Sequence, residues 1–260
     1  MNLNYVRKGS GKPLVLIHGL GGSIVIWRPV IDRLAIDRDV VALDLPGFGR
    51  SPDPGGRFSA SAADLADAVS GLCAELGIER PHTAGNSLGG WIALEMAANG
   101  DAASVCALSP AGLWREPLGP RRYERQALGR RLRPLVRAML ATEGGRARLL
   151  SSTVARPERL TREEATEIID SYLDGPLYAA ANEAMRNGAF ERKDEIDVPV
   201  TLAWGEQDIL LGRPSRTRRP PGCRYLEMPG WGHTPTWDDP EGVAELILEA
   251  SSAGCEVDRV

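Results

Sequence analysis

Short, nearly continuous apolar runs alternate with stretches of helical period in the first and last parts of the chain. A run that is apolar at every position suits a strand buried on both faces. The pattern therefore predicts an α/β fold, with a mostly parallel central sheet flanked by helices. Leu14 to Ile17, Val40 to Leu43, Pro81 to Gly85, Ser104 to Leu108, Val200 to Trp204 and Arg224 to Met228 read as its strands. Helices are predicted over Ile24 to Leu34, Ser61 to Leu76, Gly89 to Ala98 and Pro240 to Ala250. In the second of these, Leu65, Ala68, Val69 and Leu72 recur at helical spacing and Gly77 provides the stop.

From Gly112 to Phe190 the alternation fails, leaving only helical patterns rich in Arg, Ala, Leu and Glu. Structureless loops beyond about 15 residues are uncommon in compact domains. The expected organisation is a core of residues 1–111 and 191–260 with a helical cap insertion at 112–190. An insertion at that point would lie over the carboxyl edge of the sheet, where open α/β proteins bind ligands.

With 260 residues, 43% hydrophobic and 25% charged, the chain can bury roughly three quarters of its unfolded surface and needs no disulfide or metal staple. A net charge of -4 argues against wholesale binding of nucleic acid or anionic membranes. Cys73, Cys106, Cys223 and Cys255 are far apart and form no CxxC pair, so they read as small hydrophobes. No apolar run approaches the roughly 18–20 residues of a membrane span. The first apolar run follows Lys12 and leads straight into His18 and Gly19, without a cleavage signature. The expected location is the cytoplasm.

The sharpest chemical signal is Gly85-Asn86-Ser87-Leu88-Gly89, a G-x-S-x-G between a predicted strand and a predicted helix. Such a turn projects the serine hydroxyl from the sheet edge. The flanking glycines let strand and helix nearly touch. Serine is a poor nucleophile without an adjacent base, and there are three histidines to choose from. His233, in the GWGHTP loop after the last strand, can reach over the sheet edge toward Ser87. His18 reads as shaping the turn after the first core strand, and His82 as a hydrogen-bonded structural residue.

The base needs a carboxylate to fix its tautomer. Asp208 in WGEQD stands at the carboxyl edge; Glu206 is the nearest rival and Asp174 a distant third. A tetrahedral intermediate also needs two N–H donors. Leu88 follows the nucleophile, and Leu20 sits in the HGLGGS loop, where Gly19, Gly21 and Gly22 allow close backbone approach. That loop lacks the spacing of a phosphate-binding motif, since Ile24 stands where the last glycine would fall. No metal or organic cofactor is called for.

HGLGGS, DLPGFGRS, GNSLGG, WGEQD and GHTPTWDDP together resemble the α/β-hydrolase family in order and spacing. The resemblance covers nearly the whole chain, with the insertion matching the variable cap. It implies Ser87 as nucleophile, His233 as base, Asp208 as its carboxylate and the backbone N–H groups of Leu20 and Leu88 as oxyanion donors. Asp44, opening DLPGFG, reads as structural. The usual N-terminal antiparallel hairpin looks shortened. Serine at the elbow also sets the chain apart from the haloalkane dehalogenases and epoxide hydrolases, relatives that use aspartate there.

The activity so implied is hydrolysis of a small or medium acyl substrate, a carboxylic ester first. Carbon–carbon hydrolysis of the meta-cleavage-product type, or a slow-turnover small-molecule receptor, are the alternatives. Gly19, Gly21, Trp91, Leu113 and Trp114 are pocket candidates. Arg121, Arg122, Arg125, Arg130, Arg131, Arg133 and Arg137 crowd one stretch of the insertion. They read first as a solvated face, with an anion-attracting entrance or a partner surface as alternatives. RPSRTRRP after Asp208 invites the same readings.

Overall fold

Seven strands form one sheet in the order β1-β3-β2-β4-β5-β6-β7. They are β1 (Tyr5–Gly9), β2 (Lys12–Ile17), β3 (Arg38–Leu43), β4 (His82–Asn86), β5 (Ser104–Leu108), β6 (Val200–Gly205) and β7 (Arg224–Met228). The computed structural model describes residues 2–56, 58–119 and 124–252. β1 runs antiparallel to β3, and every other pairing is parallel. Alternate side chains of a strand face opposite sides, which explains the continuous apolar runs. Val15, Ile17, Val41 and Leu43 enter one core, and Leu14, Leu16, Val40 and Ala42 enter the other.

The helices α1 (Arg28–Leu34) and α9 (Pro240–Ala250) cover one face, and α2 (Ala62–Glu75) and α3 (Leu88–Ala98) the other. The predicted helix over Ile24 to Leu34 is split: a 3₁₀ turn spans Ile24–Trp27 before α1 begins. Pro29 has no N–H to continue the earlier turn, and it fits the first turn of a new helix instead. The chain leaves β2 for β3 on one side and then crosses to β4 on the other. The carboxyl ends of β2 and β4 thus flank a topological switch point, the place where open α/β sheets bind ligands.

Between β5 and β6 lie α4 (Glu124–Arg131), α5 (Arg133–Leu140), α6 (Glu143–Leu150), α7 (Arg162–Asp174) and α8 (Tyr178–Asn187). They enclose a small apolar cluster of Leu140, Leu150, Val154, Leu160 and Ala165. Arg133 pairs with Asp170 and Asp174, and Arg137 with Asp170, tying α5 to α7. The two ends of the segment meet, because Phe190 N–H donates to Gly112 C=O at 2.9 Å. Arg121, Arg122, the Arg125 side chain and Cys255 lie outside the described residues. Cys73, Cys106 and Cys223 are free thiols, with burial pushing Cys106 up to about 12. Among the described residues, no helix is long and apolar enough to cross a membrane.

His18 is fully buried, accepting Leu45 N–H at Nε2 (2.9 Å) and placing Nδ1 2.7 Å from Gly19 C=O. It therefore joins the loops after β2 and β3 as a neutral ring with its proton on Nδ1. Burial lowers its pKa, against the pull of Gly19 C=O and Asp44. His82 bonds the Ser104 hydroxyl at 2.9 Å. Its pKa is lowered to about 4 by burial, then by the charges of Arg38 and Lys12. An unfolded histidine takes up its proton near pH 6.5, whereas these folded rings resist it. Stability is therefore expected to fall as the pH drops below about 6.5. Melting temperatures between about pH 7 and 4.5 check this: the slope should flatten in His82→Asn, and an unchanged slope would reject the assignment.

Candidate active site

Ser87 stands between β4 and α3 with φ 56° and ψ −118°, a conformation that non-glycine residues adopt only under strain. The surroundings hold it there. Its N–H donates to Leu108 C=O, and its own C=O accepts from Trp91 and Ala111 N–H. A Cβ on Gly85 would fall 2.1 Å from Gly89 O, and one on Gly89 would fall 2.1 Å from Ile17 O. The elbow glycines are thus required by backbone contact. Gly19 closes in from the β2 loop, where a Cβ would lie 3.0 Å from the Ser87 Cβ.

His233 is buried in the loop after β7, and its Nδ1 lies 2.8 Å from Asp208 Oδ2. The other carboxylate oxygen, Oδ1, accepts Leu210 N–H at 2.9 Å and Leu211 N–H at 3.1 Å. Burial raises the Asp208 pKa, but the His233 bond and charge, the Leu211 N–H and the Ser109 hydroxyl outweigh it, leaving it below the ordinary carboxylate value. An ionised Asp208 holds the His233 proton on Nδ1 and leaves Nε2 to act as a base. Glu206 is exposed, and Asp174 is engaged by Arg133.

Ser87 and His233 line one cavity of about 590 Å³, together with Gly19, Leu20 and Gly21. Leu88 is the first residue of α3, so its N–H has no intrahelical acceptor. The far wall comes from the helices between β5 and β6 and is largely apolar, with Val136, Leu149, Ile168, Ile169 and Met185 among its residues. Three pocket candidates fall elsewhere. Trp91 donates Nε1–H to Glu95 at 2.8 Å and packs edge-on to Trp114, with Gly112 against its ring. Leu113 and Trp114 line an adjoining pocket of about 360 Å³ beside Trp204 and Arg213, which shares Leu118, Leu210 and Leu211 with the Ser87 cavity. Gly112, just before Leu113 and Trp114, has a positive φ of 83°.

Two residues that carry no periodic signal organise the histidine loop. Asn86 donates to His233 C=O (2.7 Å) and Leu108 C=O (3.1 Å), while its carbonyl accepts the Thr234 hydroxyl. Asp238 accepts from Gly232, Ala155 and Arg156 N–H, joining the loop to the segment before α7. Both sit inside motifs visible in the sequence, but their partners lie up to 148 residues away. Three of the four arginines of RPSRTRRP make contacts within the fold. Arg218 binds Glu191 and Phe190 C=O, Arg219 lies 3.3 Å over the Tyr225 ring, and Arg213 pairs with Glu227.

The sequence profile of the alpha/beta hydrolase family matches residues 14–246. The chain belongs to that family. The chain is 30% identical over 244 residues to the dihydrolipoyllysine-residue acetyltransferase component of the acetoin cleaving system of Cupriavidus necator. The match covers 90% of the chain and 62% of that protein, so the chain spans under two thirds of that relative's length. It is 34% identical over 210 residues to epoxide hydrolase EphH of Mycobacterium tuberculosis, covering 75% of the chain and 97% of EphH. A solved bacterial membrane phospholipase A superposes with a TM-score of 0.77 at 25% identity, over 98% of this chain and 84% of that one.

Proposed function

We propose that this alpha/beta hydrolase cleaves a carboxylic ester of small or medium acyl size through an acyl-enzyme intermediate. The observation that carries the reading is the buried Asp208–His233 pair, whose histidine shares an apolar cavity with a serine held on a strained elbow. His233 Nε2 takes the Ser87 proton as Oγ attacks the carbonyl carbon, and the N–H groups of Leu20 and Leu88 receive the oxyanion. The imidazolium, held by Asp208, returns the proton to the departing alcohol. Water then enters, loses a proton to the same nitrogen and releases the acid and Ser87.

Nucleophile chemistry separates this reading from epoxide opening, the activity in EphH's name. Attack of Ser87 on an alkyl carbon would leave a serine ether, which offers no carbonyl for water to attack. Attack on an acyl carbon leaves an ester that the same machinery can hydrolyse. Steady-state turnover of p-nitrophenyl esters of graded acyl length tests the proposal. Multiple turnovers with an optimum at medium length are expected from a mostly apolar cavity of about 590 Å³. Absence of turnover on every ester would overturn it.

A further inference from the structure

On α8, Tyr178, Asn182, Met185 and Arg186 recur at helical spacing and line the cavity. Asn182 is only 4% exposed, and its side chain has no hydrogen-bond partner among the described residues. Three other polar residues of the wall are engaged elsewhere. Thr153 bonds Leu150 C=O, Ser171 bonds Glu167 C=O, and Arg186 bonds the carbonyls of Leu118 and Gly119. Asparagine is a poorer helix former than the alanines at 179–181 that precede it. Its carboxamide faces the cavity and is not tied into the protein's own hydrogen bonds. The fold gains nothing from an amide here, whereas a bound molecule would gain a donor and an acceptor.

The geometry points to Asn182 as a substrate-binding residue that hydrogen-bonds a neutral carbonyl, ether or hydroxyl group on the ester. This rests on the ester-hydrolase reading above. Tyr178 packs on Gly21, where a Cβ would lie 3.1 Å from the Tyr178 ring, beside the oxyanion loop. Asn182 is one turn further along the helix, about 6 Å. The favoured substrate is therefore an ester with an oxo, alkoxy or hydroxy group remote from the reacting carbonyl, set in an otherwise apolar frame. A plain alkyl ester would leave the amide unpaired.

Two matched pairs test this, one for each side of the ester: ethyl levulinate against ethyl valerate, and methoxyethyl acetate against butyl acetate. Wild-type kcat/KM, and affinity measured calorimetrically with Ser87→Ala, are expected to favour the polar member of at least one pair by roughly tenfold. In Asn182→Leu that ratio should fall to about one. Asn182→Asp keeps the shape but, when ionised, only accepts hydrogen bonds, so it should also lose the preference for a keto or ether oxygen. A ratio near one in both pairs for wild type, or a ratio indifferent to residue 182, overturns the proposal. The two readings fail separately. Turnover without residue-182 dependence removes only this one, while residue-182-dependent binding without turnover of any ester removes only the ester reaction.

Discussion

Ser87→Ala is expected to lower kcat on any cleaved ester by about 10⁴-fold or more, because the step that forms the acyl-enzyme has no other nucleophile. The variant should fold normally. Alanine at φ 56° carries the same backbone strain as serine, and the bonds that fix the elbow come from the backbone N–H and C=O of residue 87. Melting temperature should stay within about 3 °C of wild type, and KM should change little, since the cavity wall loses a single oxygen atom. Labelling by a fluorophosphonate should disappear together with turnover. Retention of ester hydrolysis with loss of labelling would mean that the labelled serine is not the nucleophile that matters.

Asp208→Asn should be nearly as damaging, about 10⁴-fold in kcat, for a reason written in the hydrogen bonds. Leu210 and Leu211 N–H both point at Oδ1. An asparagine placed there must offer its carbonyl oxygen to those donors, which turns its NH₂ toward His233. Facing a donor, Nδ1 must give up its proton and accept; Nε2 then carries the hydrogen and cannot take one from Ser87. The fold keeps its shape and loses the tautomer. Glu206→Gln, at an exposed position, should change kcat less than about twofold. Rates measured side by side decide the matter: a fall with Glu206→Gln and not with Asp208→Asn would move the carboxylate role to residue 206.

The central sheet was legible because its strands are buried on both faces, so Leu14 to Ile17 and Val40 to Leu43 are apolar at every position. β1 was not, since all five of its residues are exposed and pairing with β3 is a backbone matter. At the site, local chain chemistry made Ser87, Asp208 and His233 stand out. G-x-S-x-G needs its glycines for contacts within a few residues and with the neighbouring strand. The roles of Asn86 and Asp238 depend on partners far away in sequence, which no local pattern encodes. The pocket candidates were misplaced for the same reason: Leu113 and Trp114 sit near the motifs in sequence yet line the pocket beside Trp204, and Trp91 spends its N–H on Glu95 and its ring on Trp114. Of the arginine run, Arg133 and Arg137 revealed their partners only once Asp170 and Asp174 were brought beside them.

The bond between Phe190 and Gly112 makes the helices above the sheet a loop closed at its own neck. Closing such a loop costs an entropy that grows only with the logarithm of its length. Residues can therefore be added to or removed from the helices without stretching β5 away from β6, provided that the neck stays shut. Arg218 guards it from outside, holding Phe190 C=O while pairing with Glu191. The roof of the pocket is thereby free to drift in sequence and size while the floor that carries Ser87 stays put. A change of substrate could come from rebuilding one without disturbing the other.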